Sequence, residues 1–128
     1  MAILSIDFGL RRVGLAISVD SLVQLLDVVQ NSPGLIKQLV VICQKNEIER
    51  IVIGLPEGEI AEKVKKFACQ LKLAINLPVD FQDETLTSQK ALDMMIKSGK
   101  KRKARQEKQD SFAAALILQR YLERRKDV

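Results

Sequence analysis

The sequence predicts one α/β domain: a mixed sheet with helices on both faces. Two observations lead there. The first stretch, residues 2 to 29, alternates strand-like apolar runs with short turns and holds no helical period. From residue 33 onward, short apolar runs alternate with longer segments of helical spacing, which implies parallel strands joined by right-handed crossovers.

Taken in order, Ala2 to Phe8 reads as a first strand and Gly9-Leu10-Arg11-Arg12 as a tight connection. Val13 to Val19 is a second strand, and Leu22 to Val29 a third, giving an antiparallel meander. Asn31-Ser32-Pro33-Gly34 breaks the pattern; Ser32 is placed to cap a helix with Pro33 at its first position, running to about Asn46. Arg50 to Leu55 is a short strand and about Ile60 to Ile75 a helix. Pro78 to Gln82 is another strand, Leu86 to Ser98 a helix stopped by Gly99, and about Glu107 to Arg124 the last helix. No repeat or linker divides residues 1 to 128, so one domain is expected.

At 128 residues the chain can bury one sizeable core. Aromatics make up only 4%, so that core must come from Leu, Ile, Val and Ala. No apolar run is long enough to span a bilayer, and the N-terminus lacks the basic segment of a signal peptide. No membrane association and a cytoplasmic location are expected. Cys43 and Cys69 both sit in apolar segments without a CxxC partner and read as core fillers. Histidine is absent, which removes Ser-His-Asp and Cys-His catalysis and His-ligated zinc. The net charge of +5 favours an anionic partner. Lys97, Lys100, Lys101, Arg102, Lys103 and Arg105 form a run without an acid, and Arg120, Arg124, Arg125 and Lys126 make a basic C-terminus.

Three acids conflict with their surroundings, and such conflicts mark functional sites. Asp7 ends the apolar strand Ile3-Leu4-Ser5-Ile6, where an unpartnered carboxylate costs several kcal/mol by order of magnitude. Open α/β sheets bind ligands at the carboxyl ends of their strands. The structural alternative is a turn aspartate accepting backbone N–H bonds. Asp110 heads a helical stripe of Ala113, Ala114, Ile117, Leu118 and Tyr121 that should pack on the sheet; an acid near a helix start also complements the dipole without any further role. Glu84 follows a strand end, and neighbouring Asp83 is an equal candidate on local pattern. Carboxylates drawn together need a cation, and acids without histidine suit a hard ion such as Mg²⁺ or Mn²⁺. Two such ions about 4 Å apart can clamp both oxygens of a phosphodiester displacement.

Four segments carry a family resemblance: Asp7-Phe8-Gly9-Leu10-Arg11-Arg12-Val13-Gly14-Leu15-Ala16, Val52-Ile53-Gly54-Leu55-Pro56, Asp83-Glu84-Thr85-Leu86-Thr87-Ser88, and Asp110 through Leu122. In this order and spacing the chain resembles the YqgF/RuvX family, whose members are described as nucleases of pre-16S rRNA and formerly as Holliday junction resolvases. The resemblance implies an RNase H-like fold. It places the family's three acids, catalytic and metal-binding, on Asp7, Glu84 and Asp110, choosing Glu84 over Asp83. It also matches Arg12 to a motif arginine suited to a backbone phosphate. With Arg11, Lys100, Lys101, Arg102, Lys103 and Arg105, it forms the expected nucleic-acid contact, mostly to phosphates. The bland account of the basic run is a solvated loop.

Three positions depart from the family pattern. Thr85 stands where the family usually has Arg, Leu10 where it has Thr or Ser, and Glu57-Gly58-Glu59 replaces a longer loop. The reading is therefore a metal-dependent nuclease acting on precursor ribosomal RNA, with a non-catalytic RNA- or ribosome-binding module as the alternative. A resolvase of branched DNA differs only in substrate. Asp7-Phe8-Gly9 also resembles the phosphate loop of actin-like ATPases, but those need two such domains. No sequence feature sets the oligomeric state.

Overall fold

A computed structural model describes residues 1–20, 22–83 and 102–126; the side chains of 102–110 and 126 lie outside that description. The order is β1 (Ala2–Phe8), β2 (Arg12–Val19), β3 (Leu22–Leu25), β4 (Val29–Gln30), α1 (Leu35–Lys45), β5 (Arg50–Leu55), α2 (Ile60–Ala74), β6 (Val79–Asp83) and α3 (Arg102–Lys126). The expected helix from Leu86 to Ser98 falls outside the described residues. Among the described residues, no helix is long and apolar enough to cross a membrane.

The strands form one sheet in the order β3-β2-β1-β5-β6, with β4 also on β2. The meander pairs antiparallel, while β1–β5 and β5–β6 pair parallel, as expected for a mixed sheet. Both faces are covered. Leu4, Ile6, Leu15, Ile51 and Ile53 pack against α1 and α2 through Leu39, Val64, Phe67 and Leu71. Ile3, Ala16 and Val52 pack against Ala114, Ile117, Leu118 and Tyr121 of α3. Alternation along β1 produces this split, sending Leu4 and Ile6 to one layer and Ile3 and Ser5 to the other. Each fully buried Leu or Ile contributes about 1.5–3 kcal/mol.

The stripe predicted on the last helix is the buried one: Ala113, Ala114, Ile117, Leu118 and Tyr121 are all nearly inaccessible. The small residues let α3 lie close to the sheet. Its axis crosses the strands. Ser111 donates a 3.0 Å hydrogen bond to the Leu26 carbonyl beside β2, the buried Ser5 hydroxyl on β1 donates to the Ala114 carbonyl, and Tyr121 reaches Asp80 on β6.

Several expectations are corrected. The last helix starts at Arg102 and not near Glu107, so Arg102, Lys103 and Arg105 belong to its first turns and not to a preceding loop. Helix α1 starts at Leu35 after Gly34, with no side-chain cap; the Ser32 carbonyl, not its hydroxyl, receives the Leu35 N–H at 3.0 Å. Cys69 is exposed and is no core filler, while Cys43 is buried and its thiol is pushed up to about 11 by that burial.

The third strand is also interrupted. Ala16 pairs with Leu25 and Val13 with Val29, so three residues, Leu26 to Val28, face two on β2. That is a β-bulge of one extra residue, held by the Leu26 N–H on the Leu15 carbonyl at 3.0 Å. The short entry to α2 is as read: Gly58 takes φ +88, a left-handed conformation that favours glycine, and the helix begins at Ile60.

Candidate active site

Asp7 is the penultimate residue of β1, half-buried at the carboxyl end of the central strand. Its place in the pleat, two beyond Ser5, puts it on the α3 face. Gly14 is its cross-strand partner on β2. On the other side Ile6 pairs with Ile53, which brings Gly54 of β5 level with Asp7. The carboxylate thus stands between two neighbours without side chains. Gly54 pairs in turn with Gln82 of β6 on the same face. Gln82 Oε1 is buried and, among the described residues, has no hydrogen-bond partner.

The chain leaves Asp7 through the turn at Gly9–Arg11. Phe8 pairs with Val13, so the turn is closed by adjacent strands. A β-carbon on Gly9 would collide with the Arg12 carbonyl oxygen, which explains glycine there. Asn31, directly after β4, clamps the same turn: its side-chain amide donates to the Gly9 carbonyl at 2.7 Å and its N–H to the Arg11 carbonyl at 2.9 Å. Arg11 is exposed at the tip, and Arg12 is half-buried at the start of β2.

Asp110 lies one residue before Ser111, in the α3 turn tied to Leu26. The helix therefore delivers its position to the β2 side of Asp7. Arg12 and Ser111 line one cavity of about 580 Å³ together with Leu25, Leu26, Asp27, Val28 and Gln30. That cavity connects the turn after Asp7 with the residue after Asp110. Glu84 directly follows β6 but, like Lys100 and Lys101, lies outside the described residues, as do the side chains of Asp110, Arg102, Lys103 and Arg105. Among the described residues, no group of three acids or cysteines converges.

The predicted basic C-terminus is placed elsewhere and engaged differently. Arg125 donates to the Tyr121 hydroxyl at 3.0 Å, Tyr121 to Asp80, and Arg50 to Asp80 at 2.7 Å. The Tyr121 hydrogen bond, then Arg50, holds the Asp80 carboxyl below its usual range, against the opposing effect of desolvation. This cluster ties β5, β6 and α3 together and leaves Arg124 over the Tyr121 ring.

Sequence reasoning missed Ser5, Asn31, Gln82 and Ser111. Ser5 had a signal: a polar residue two before Asp7, on the same face of an apolar strand. Asn31 and Ser111 make hydrogen bonds to segments distant in sequence, and Gln82 reaches the face of Asp7 only through its register with Gly54.

The fold is RNase H-like. It matches RuvC of T. thermophilus, solved in complex with Holliday junction substrate, with a TM-score of 0.63 at 19% identity over 96% of this chain and 95% of that one. It also matches the fowlpox virus resolvase, solved with Holliday junction DNA, at 0.61 and 15% identity over 95% and 99%. The chain belongs to the RuvX family, described as "Holliday junction resolvase", which matches residues 1–124. Among its relatives is a "Putative pre-16S rRNA nuclease" of Syntrophus aciditrophicus, 39% identical over 96% of this chain and 89% of that protein. A protein of the same name from Syntrophomonas wolfei is 37% identical over 96% and 94%.

Proposed function

We propose that this protein is a metal-dependent nuclease that hydrolyses phosphodiester bonds in a precursor of 16S ribosomal RNA, in the cytoplasm. The observation that carries the reading is Asp7: a half-buried carboxylate ending the central strand, between Gly14 and Gly54, on the face crossed by the helix of Asp110. A half-buried carboxylate at the carboxyl end of a central strand is well placed to serve as a ligand for a hard cation. The names of its relatives support the choice of substrate.

Asp7, Glu84 and Asp110 would hold Mg²⁺ or Mn²⁺. Their donors are all carboxylate oxygens, in a chain without histidine, and that set fits a hard divalent ion. When bound, the ion supplies Lewis acidity toward the phosphate and a water of lowered pKa. The chain itself does the positioning. Gly9 and Asn31 fix the turn that offers Arg11 and Arg12 to backbone phosphates. Lys100, Lys101, Arg102, Lys103 and Arg105 add charge just before Asp110, holding the backbone without reading sequence.

The test is incubation of precursor ribosomal RNA with the protein and its Asp7→Asn variant, in Mg²⁺, in Mn²⁺ and in chelator. Metal-dependent cleavage should fall at least a hundredfold in the variant. Equal rates would sink the proposed site. Binding without cleavage under every metal would favour the non-catalytic module and direct attention to Thr85 and the short Glu57–Glu59 loop.

Branched DNA is the second reading, favoured by the family's description and by the junction-bound neighbours. A four-way junction included beside the RNA separates the two.

A further inference from the structure

We infer that the cavity between Arg12 and Ser111 is a subsite for one unpaired nucleotide of the substrate, so that this protein selects RNA with an extruded or single-stranded base beside the cut. The inference rests on the nuclease reading above and adds a substrate class to it.

The cavity exists because of the bulge. Leu26 to Val28 put three residues against two on β2, so the strand pairing breaks there while the Leu26 N–H stays on the Leu15 carbonyl at 3.0 Å. Ser111 ties helix α3 to the Leu26 carbonyl at 3.0 Å, and both residues line the cavity. Bulges concentrate beside active sites, where they redirect side chains. This one lies between the turn that follows Asp7 and the residue that follows Asp110.

Its size and lining suit a nucleotide. About 580 Å³ falls within the range of small-molecule sites. Leu25, 42% exposed, and Val28 offer apolar surface to a base face. Gln30 offers both a donor and an acceptor, Asp27 an acceptor, and both are exposed. Such groups read the hydrogen-bonding edge of a base that has left its helix. Arg12, on the side of Asp7, is the cationic member and suits the phosphate of the same nucleotide. A base kept in a duplex would present that edge to its own partner and leave Asp27 and Gln30 without a ligand.

The experiment uses the full chain carrying Asp7→Asn, to stop turnover, and hairpin RNAs of one length. One hairpin is fully paired, one carries a single unpaired nucleotide, and one carries an abasic residue at that place. Fluorescence anisotropy in Mg²⁺ reads the affinities. The unpaired nucleotide should bind about tenfold more tightly than the other two, the magnitude of one good base-edge contact. Adding Asp27→Ala and Gln30→Ala, both surface changes, should bring the three affinities together while circular dichroism stays unchanged. Equal affinities in the Asp7→Asn protein, or a preference that survives the double change, would overturn the subsite. Cleavage in the Asp7-intact protein tells the two readings apart. A preference without any cleavage removes the nuclease alone; cleavage without a preference removes the subsite alone.

Discussion

At Gly9 the chain needs the absence of a side chain more than any particular chemistry. A β-carbon there meets the Arg12 carbonyl oxygen, which is backbone and cannot swing aside. Gly9→Ala should therefore open the turn, costing about 1–3 kcal/mol in urea unfolding. On the proposed function, RNA cleavage should fall by more than the loss of folded protein accounts for, because Arg11 and Arg12 shift with the turn. An unchanged midpoint would show that the turn is not held as described. Asn31 belongs to the same unit, reaching both the Gly9 and Arg11 carbonyls. In the sequence it reads as a breaker, because nothing local shows that its amide bonds a turn more than twenty residues earlier. Asp7, by contrast, was legible from its own strand: a charge inside an apolar run announces itself.

Among the elements, α3 repays attention, since three side-chain hydrogen bonds set its path across the sheet. Ser5 to Ala114 lies at the centre, fully buried. Ser5→Ala should cost about 1 kcal/mol, the net value of one hydrogen bond. Ser5→Val should cost more, about 1–3 kcal/mol, because branching overfills the narrow gap above β1. The checks are thermal melts of both variants beside wild type; a Val variant as stable as the Ala one would mean that the helix does not lie close. The amphipathic stripe from Ala113 to Tyr121 was legible because burial of a helix face repeats at 3.6 residues. The helix start was not, because Arg102 to Gln109 hold a single apolar residue, Ala104, and so carry no such period. The third strand was misread as continuous for a similar reason. A bulge adds one residue of the same character, and only pairing against β2 reveals the count.

For the molecule as a whole, the Arg50–Asp80–Tyr121–Arg125 cluster joins two strands to the helix on their face. Tyr121 and Arg50 hold the Asp80 carboxyl below its usual range. The folded state therefore keeps this group charged at pH values where the unfolded chain has begun to protonate it. Its contribution is complete above about pH 4 and is lost as the pH falls through the folded value. Asp80 is partly exposed, so the contribution is modest, about 1 kcal/mol after screening. Asp80→Asn should lower stability at neutral pH by about that amount and flatten the acid limb of the stability curve below pH 4. An acid limb of unchanged steepness would remove Asp80 from the account. The same cluster occupies arginines that, by sequence, read only as a basic tail.

The mixed sheet with two covered faces, the family and, apart from the split third strand, the order of the described elements came from the sequence alone, since periodicity, turn residues and motif order are local or linear properties. Asp7 as a candidate came with them, since its charge inside an apolar strand is also a local property. The tertiary structure decided what depends on register and on chain segments meeting: glycines on both sides of Asp7, an amide from Asn31 on the turn, a helix pinned at Ser5 and Leu26, and a bulge that leaves a cavity between the two acid-bearing segments. These follow from hydrogen bonds and packing across the sheet, where the partner's position is set by the whole fold and is written in neither segment.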